Sequence, residues 1–328
     1  MNTNHCHIIA NPVAGGGRTG RMLGVLTDPL RTSFGSATTL FCTGKPGDAL
    51  ASARQAVMDG SRRIVIVGGD GTIHECVNGI YSLPSVFTEN VTLALISTGT
   101  GCGLARSLGI PDELEEQIAV ARGSHTRVID IGQIHLGNET EPRFFVNECQ
   151  IGIGAEVVRR TRKGGKAFGG SLTYALATVP LLFSYPNPEV ELVMDNATTI
   201  SLSVTGISIG NGAITGGGMH LTPRAVLDDG LIDVLVMKGQ SPFHRAVSFL
   251  RVRSGGHIRS PRFSYHQARE ILISSRSDLL LSADGEMIGR LPARFASHPG
   301  AIHIHSPLER RRENRHEHTS GKTEEIGI

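Results

Sequence analysis

The hydrophobic rhythm of the chain changes partway along. Up to about residue 130, short apolar runs alternate with stretches of helical length. His7–Ala10, Thr38–Phe41, Arg63–Val67 and Thr92–Ile96 read as strands, and each of the last three follows a helical pattern, the layout of a parallel α/β sheet. From Thr126 onward the strand-like runs are separated by turn residues instead. Thr126–Ile134, Arg143–Asn147, Glu189–Met194, Ile200–Ile209, Leu231–Met237, Glu270–Ser274 and Leu279–Ala283 predict an antiparallel β-sandwich, interrupted by one helix at Ser171–Phe183. Gly, Asn, Glu and Pro accumulate over Gly132–Glu141, so the expected boundary separates an α/β domain at 1–132 from a sandwich at 133–308. Residues 309–328 are highly charged with few apolar positions and are expected to be disordered.

Composition narrows the class. At 328 residues with 39% hydrophobic positions, the chain can build two cores. Its five cysteines are scattered without a CxxC pair, which argues against a zinc site or a disulfide scaffold and for reduced thiols in the cytoplasm. Met1–Ala10 lacks the apolar core of a secretory leader and reads as a first strand. No run reaches the ~18–20 apolar residues of a membrane span; Leu172–Phe183 is short and broken by Pro180, so any membrane contact is expected to be peripheral, at the inner surface. A net charge of +2 gives no reason to invoke nucleic acid. The count that changes the picture is 41 glycines against no tryptophan, because glycine lets backbone approach a ligand.

Three glycine-rich loops each follow a predicted strand: Asn11–Gly17, Gly68–Thr72 and Ser97–Gly103. In a parallel sheet the strand ends and following helix starts lie on one edge, where free N–H groups suit an anion. One such loop alone is usually a tight βα turn, whereas three on one edge suggest a polyphosphate. In Gly68-Gly-Asp-Gly-Thr72 the glycines bracket Asp70 between an apolar strand and a helix marked by Ile73, Val77 and Ile80. A carboxylate there would repel bare phosphates, but it fits a Mg²⁺ ion bridging it to a triphosphate. Glu75 is as well explained by the helix dipole. Gly15-Gly-Gly-Arg-Thr-Gly20 matches GxGxxG, but no acid follows the next strand to hold a ribose, so a dehydrogenase is not indicated. Ser320-Gly-Lys-Thr323 lacks the first glycine of a P-loop.

Gly68–Thr72 with His74-Glu-Cys-Val-Asn-Gly79, and Gly99-Thr-Gly101 with Leu104–Pro111, resemble the catalytic domain shared by diacylglycerol and sphingosine kinases. The resemblance continues in order through Arg127–Gly132, Phe144–Gly154, Gly210–Ala213 with Gly216–Gly218, Pro223–Val234 and Asp284-Gly-Glu286, from Ile8 to about Pro307. It implies an ATP-binding α/β domain, a β-sandwich lipid domain and a cleft between them. It places ATP against Asn11, Thr43, Gly68, Gly69, Asp70, Gly71, Thr72 and Thr100, with Asp70 and Asp130 organising the catalytic Mg²⁺. A structural Mg²⁺ would take the Asp229 carboxylate and the carbonyls of Val226 and Leu231, although Val226–Leu231 also reads as a plain Asp-Gly turn before a strand. Glu286, past a strand and an Asp-Gly turn, is the expected general base for a lipid hydroxyl; the local alternative is a plain hairpin. The chain departs from the family where Cys102-Gly103 replaces Asn-Asp, and Gly154 stands where many members carry an acid.

Arg159, Arg160, Arg162, Lys163 and Lys166 crowd around Gly164-Gly165 just before the apolar helix. They read either as a solvated loop or as a dock for anionic lipid. Leu172, Ala175, Leu176, Val179 and Leu182 mark one helical face, read as core, and with Phe183 and Tyr185 the region is expected to line the acyl-chain entrance. His303 and His305 alternate on a strand without further metal-ligand spacing. The leading expectation is an ATP-dependent lipid kinase, with a membrane lipid as partner and room for a homodimer. Its competitors are a non-catalytic nucleotide or lipid sensor, suggested by Cys102-Gly103, and an NAD kinase, suggested by Gly68–Thr72 alone.

Overall fold

The computed structural model describes residues 5–35, 38–99, 101–137, 139–163, 170–252 and 254–308, with 163 and 170–175 described by their backbone alone. The first half comprises β1 (Cys6–Ala10), α1 (Ala14–Phe34), β2 (Thr39–Cys42), α2 (Asp48–Met58), β3 (Arg63–Gly68), α3 (Asp70–Tyr81), α4 (Ser85–Thr88), β4 (Thr92–Ser97), α5 (Gly103–Ser107) and α6 (Leu114–Arg122). β2, β1, β3 and β4 lie side by side in parallel. Strand alternation divides their apolar side chains between two layers. Ile9, Ile64, Ile66, Leu93 and Leu95 pack on the α2–α3 side, while Ile8, Val65, Val67, Ala94 and Ile96 pack on the side of α1 and α6. With both faces covered, β3 and β4 read as unbroken apolar runs, which is why they were legible, whereas β2 at the edge is mostly exposed.

The second half runs through β5 (Thr126–Leu136), β6 (Arg143–Phe145), β7 (Glu148–Gly152), α7 (Ile153–Lys163), α8 (Gly170–Ser184), β8 (Glu189–Met194), β9 (Thr198–Gly210), β10 (Ile232–Lys238), α9 (Pro242–Val252), β11 (Phe263–Ala268), β12 (Glu270–Ser274), β13 (Leu280–Ala283), β14 (Glu286–Arg290) and β15 (Ala293–His305). It forms a β-sandwich. One leaf is β5, β15, β12 and β8; the other is β14, β13, β7, β10 and β11. β9 joins them, pairing with β8 through Thr198–Ser203 and with β7 and β10 through its second half. Between the leaves lie Phe145, Leu192, Ile271 and Phe295 against Ile151, Ile207, Val234 and Leu281. Gly132 is required by this packing, because a Cβ there would stand 1.9 Å from the Phe145 ring.

Two features were not expected. The predicted boundary at 132–141 begins inside β5 and runs past its end, and the last described strand, β15, crosses back: its end pairs antiparallel with β5 on one side and parallel with β4 on the other, His303 opposite both Val128 and Thr92. Three helices, α7, α8 and α9, also cover one outer face of the sandwich, where a single helix was predicted. None of the described helices is long and apolar enough to cross a membrane. The predicted disorder of 309–328 and the Ser320–Thr323 segment lie outside the described residues.

Candidate functional site

Loops following β1, β2, β3 and β4 meet on the edge formed by the ends of these strands. Gly15, Gly16 and Gly17 all adopt positive φ (59°, 67° and 84°), curling the chain back before α1 proper begins. The loops touch through bare backbone. A Cβ on Gly15 would meet the Thr98 carbonyl oxygen at 2.3 Å, and one on Gly99 would meet Gly69 Cα at 2.7 Å. Asn11 Nδ2 donates to Thr72 Oγ1 (3.0 Å), and the Thr43 N–H donates to the Ala10 carbonyl (2.9 Å), so Asn11, Thr43 and Gly68–Thr72 share this edge. Thr100 lies outside the described residues.

Asp70 opens α3. Its Oδ1 accepts from the Gly103 N–H (2.9 Å), while Oδ2 faces Gly101, whose Cβ, if present, would be 2.5 Å away. Burial is the chief cause that raises the Asp70 carboxyl to about 6, with the nearby Asp284 charge adding to it. Arg106 Nη1 donates to the Gly101 carbonyl (2.9 Å) and supplies positive charge beside Asp70. The Cys102-Gly103 departure has a steric account: a Cβ on Gly103 would stand 2.7 Å from Asn147 Nδ2 and 2.9 Å from the Ile214 carbonyl oxygen. Cys102 itself takes a left-handed conformation (φ 48°) and points its Sγ at the Gly99 carbonyl (3.0 Å). Glu75 reaches away from this edge to the Gly47 and Ala49 N–H groups (3.0 and 3.2 Å), capping α2 rather than its own helix.

The sandwich approaches through the β13–β14 turn. Asp284, with φ 47°, accepts from the Val146, Asn147 and Glu148 amides (2.9, 2.9 and 3.1 Å) and contacts His74 Nδ1 at 3.1 Å. One turn along α3, Asn78 exchanges two 2.9 Å hydrogen bonds with the Phe144 backbone. His74 and Asn78 therefore fasten α3 to the sandwich, a role that their positions in the motif did not reveal. The turn carries Glu286 over the first domain: a Cβ on Gly71, the residue after Asp70, would be 3.0 Å from Glu286 Oε1. Arg162 from α7 pairs with the other oxygen of Glu286.

The other predicted residues are placed differently. Asp130 is buried in β5, and its carboxylate accepts from the Gly230 and Gly300 amides (2.7 Å each). Its backbone N–H donates to the Leu227 carbonyl (2.7 Å), which ties it to the Val226–Leu231 loop, and no hydrogen bond joins it to Asp70 among the described residues. In that loop Asp229 Oδ1 accepts from the Leu231 N–H (3.0 Å), and Asp228 forms a two-pronged pair with Arg127 (2.8 and 2.9 Å) that holds its carboxyl below the usual range. The donors around Asp70 and around Val226, Asp229 and Leu231 are oxygens, the chemistry Mg²⁺ takes.

An apolar cavity of about 120 Å³ lies beside this edge in the sandwich half, walled by Val157, Leu182, Met219, Leu221, Phe249 and Phe263. Its lining also includes Glu148, Gln150 and Gly216, and Gly216 Cα would be 3.6 Å from a Cβ on Gly101. Gly101 thus stands between the cavity wall and Asp70. Glu148 was missed by sequence reasoning, although Glu148 and Gln150 alternate with the buried Cys149 and Ile151 and so mark one face of a strand. On α8, Leu182 faces inward, but Leu176, Val179 and Phe183 are exposed (58%, 49% and 62%), correcting the face read as core. The helix is apolar nearly all round, so its periodicity could not choose a side. Phe243 and Leu250 of the neighbouring α9 are exposed as well. Of the basic run, Arg159 and Arg160 both pair with Glu156; Gly164, Gly165 and Lys166, and the side chains of Lys163, Leu172 and Ala175, lie outside the described residues.

Comparison with known proteins agrees with this architecture. Residues 5–134 match the diacylglycerol kinase catalytic domain and residues 147–306 match the YegS C-terminal NAD kinase beta sandwich-like domain. A diacylglycerol kinase of Bacillus subtilis is 31% identical over 285 residues, covering 84% of this chain and 88% of its own. One from Staphylococcus carnosus is 28% identical over 305 residues, covering 92% and 95%. A solved diacylglycerol kinase structure from Bacillus anthracis superposes with a TM-score of 0.69 at 21% identity, covering 93% of this chain and 97% of that one, and speaks for the fold. With both halves matched in order and the relatives aligned nearly end to end, the chain belongs to the diacylglycerol kinase family.

Proposed function

We propose that this protein is an ATP-dependent lipid kinase that transfers the γ-phosphate to a hydroxyl of a membrane lipid, a diacylglycerol or a related long-chain alcohol. One observation carries the reading: Glu286 lies against the residue after Asp70, and an apolar-walled cavity reaches the same edge through Gly216, next to Gly101. The amides and glycines of the four loops cradle the phosphates, and Asn11, Thr43 and Gly68–Thr72 contact ATP. Mg²⁺, when bound, neutralises charge developing between the β- and γ-phosphates. Asp70 would help to hold the ion through Oδ2, since Oδ1 is occupied by the Gly103 N–H. Glu286 accepts the proton of the lipid hydroxyl as phosphoryl transfer proceeds. Arg162, now on Glu286, is positioned to turn toward phosphate.

Asp130, in this reading, braces the Val226–Leu231 loop against β5 and acts on the nucleotide site only through that loop. Asp229 and the Val226 and Leu231 carbonyls offer a second, structural Mg²⁺ site. The lipid reaches the cavity from an anionic membrane surface, where the exposed Leu176, Val179, Phe183, Phe243 and Leu250 insert next to α7 with its Arg159, Arg160 and Arg162.

The test is direct. With labelled ATP, Mg²⁺ and a panel of diacylglycerols, sphingoid bases and other lipid alcohols, label should move to lipid. Glu286→Gln should lower turnover by ~10²–10⁴-fold with the KM for ATP nearly unchanged. No lipid-dependent transfer across the panel would reject the reading.

A further inference from the structure

One carboxyl in the cleft has no part in the chemistry described above. Glu148 begins β7, with its backbone fixed at both ends by Asp284: its N–H donates to Asp284 Oδ1 (3.1 Å) and its carbonyl accepts from the Asp284 N–H (2.8 Å). Glu148 lines the apolar cavity, as does Gly216, whose Cα would be 3.6 Å from a Cβ on Gly101, the glycine that faces Asp70. Gln150, two residues on along the same face, donates from Nε2 to Glu148 Oε2 (2.7 Å). Gly154 makes this arrangement possible, because a Cβ there would stand 2.2 Å from Gln150 Oε1. Glu148 Oε1 has no hydrogen-bond partner among the described residues, so it is the polar atom left for a ligand.

Glu148 and Glu286 stand on either side of β13, whose Ala283 pairs with both Cys149 and Glu286, so a lipid with its hydroxyl at Glu286 and the start of an acyl chain in the cavity brings its backbone to this oxygen. We propose that Glu148 is the specificity-determining residue of the lipid site: as an un-ionised acid it donates a hydrogen bond through Oε1 to an ester carbonyl of an acylglycerol. The inference rests on the lipid kinase reading above. Its surroundings favour the neutral acid. Burial raises the carboxyl to about 8, and the nearby charges of Asp284 and Asp70 oppose its ionisation further. No cation pairs with it among the described residues. Among the described residues, the one other charged residue lining the cavity is Arg245, whose guanidinium is held by the carbonyls of Leu182, Tyr185 and Gln240 and by Asn187 Oδ1. A positive charge in the cavity wall disfavours a long-chain amine, and an un-ionised acid offers it no counter-charge. An ester carbonyl, an acceptor without charge, fits both.

The test compares a diacylglycerol with its dialkyl ether analogue, which keeps the hydroxyl and the chains but lacks the carbonyls. In mixed micelles at pH 6.5 the wild-type protein should prefer the ester by about tenfold in kcat/KM, carried by KM. As pH rises through about 8 the acid ionises, can no longer donate and repels the carbonyl oxygen, so the preference should collapse. Glu148→Ala should lose the preference at every pH. Glu148→Gln, whose amide still donates and does not titrate, should restore it and hold it flat from pH 6.5 to 9. Equal use of ester and ether by the wild type, or a pH-flat preference that survives Glu148→Ala, would overturn the proposal. Should no lipid be phosphorylated at all, the kinase reading fails on its own. Competition of the same ester and ether lipids against a fluorescent diacylglycerol then decides this one, with equal displacement counting against it.

Discussion

At the scale of single residues, the site is shaped as much by where side chains are missing as by where they are present. Gly101 leaves room for Asp70 Oδ2, and a methyl there would stand 2.5 Å from that oxygen. Gly101→Ala is therefore expected to push the carboxylate aside and raise the KM for MgATP about tenfold, measured by steady-state kinetics at saturating lipid. Gly103 is as tightly constrained, by Asn147 and the Ile214 carbonyl. Gly103→Asp, which would write the family's usual acid back into the loop, is expected to lower Tm by several degrees and to lose activity, checked by calorimetry alongside kinetics. Sequence comparison alone reads Gly103 as a lost carboxylate; the structure reads it as a backbone N–H that holds Asp70. Glu148 has a consequence for stability too. Its folded-state pKa, about 8, lies above the ordinary value of 4.5, so the native state binds the proton more tightly. Its contribution to stability is complete below about 4.5 and is lost as pH rises toward 8. Glu148→Gln should accordingly gain Tm over the wild type as pH rises through that window and hold the gain above it, read by melts from pH 4 to 9.

Among the elements, those buried on both faces or strictly alternating were legible, and those wrapped around the cavity were not. β1, β3 and β4 carry unbroken apolar runs because helices cover both sides, and β8 and β12 match the sequence reading at both ends. α7 and α9 were missed. α7 carries charge along most of its length, and α9 starts at Ser241-Pro242, a start signal that the surrounding strand patterns obscured. The three glycine-rich loops at the strand ends were legible because each follows an apolar strand run, a placement that the other glycine cluster at Gly216–Gly218 lacks. Glu148, Arg106 and the His74–Asn78 latch were not, since their significance depends on which distant segment folds against them. Arg245 illustrates how the helical layer is held: from α9 it satisfies the carbonyls of Leu182 and Tyr185 at the end of α8, where a positive charge also suits the helix dipole. Arg245→Met should cost about 2–3 kcal/mol by leaving those groups unpaired, and denaturant melts together with limited proteolysis of the α8–α9 region would register it. On the outer side of the same layer, the double variant Phe183→Asp, Leu250→Asp should weaken binding to anionic vesicles about tenfold or more without lowering Tm, measured by sedimentation with liposomes.

For the whole molecule, the two halves are not separable parts joined by a linker. The cleft is clamped by His74 and Asn78 on one side and by Asp284 on the other, so the geometry between Glu286 and Asp70 is built from contacts spanning more than two hundred positions of sequence. β15 carries this further. It is the last described strand, yet it lies between β4 and β5 and completes the sheet begun by the first residues. During synthesis, β4 must therefore wait with one edge unpaired until nearly the entire chain has left the ribosome. The α/β half should be unable to mature cotranslationally as an autonomous unit, and a nascent chain stalled short of residue 293 would present an open edge to chaperones instead of a finished fold.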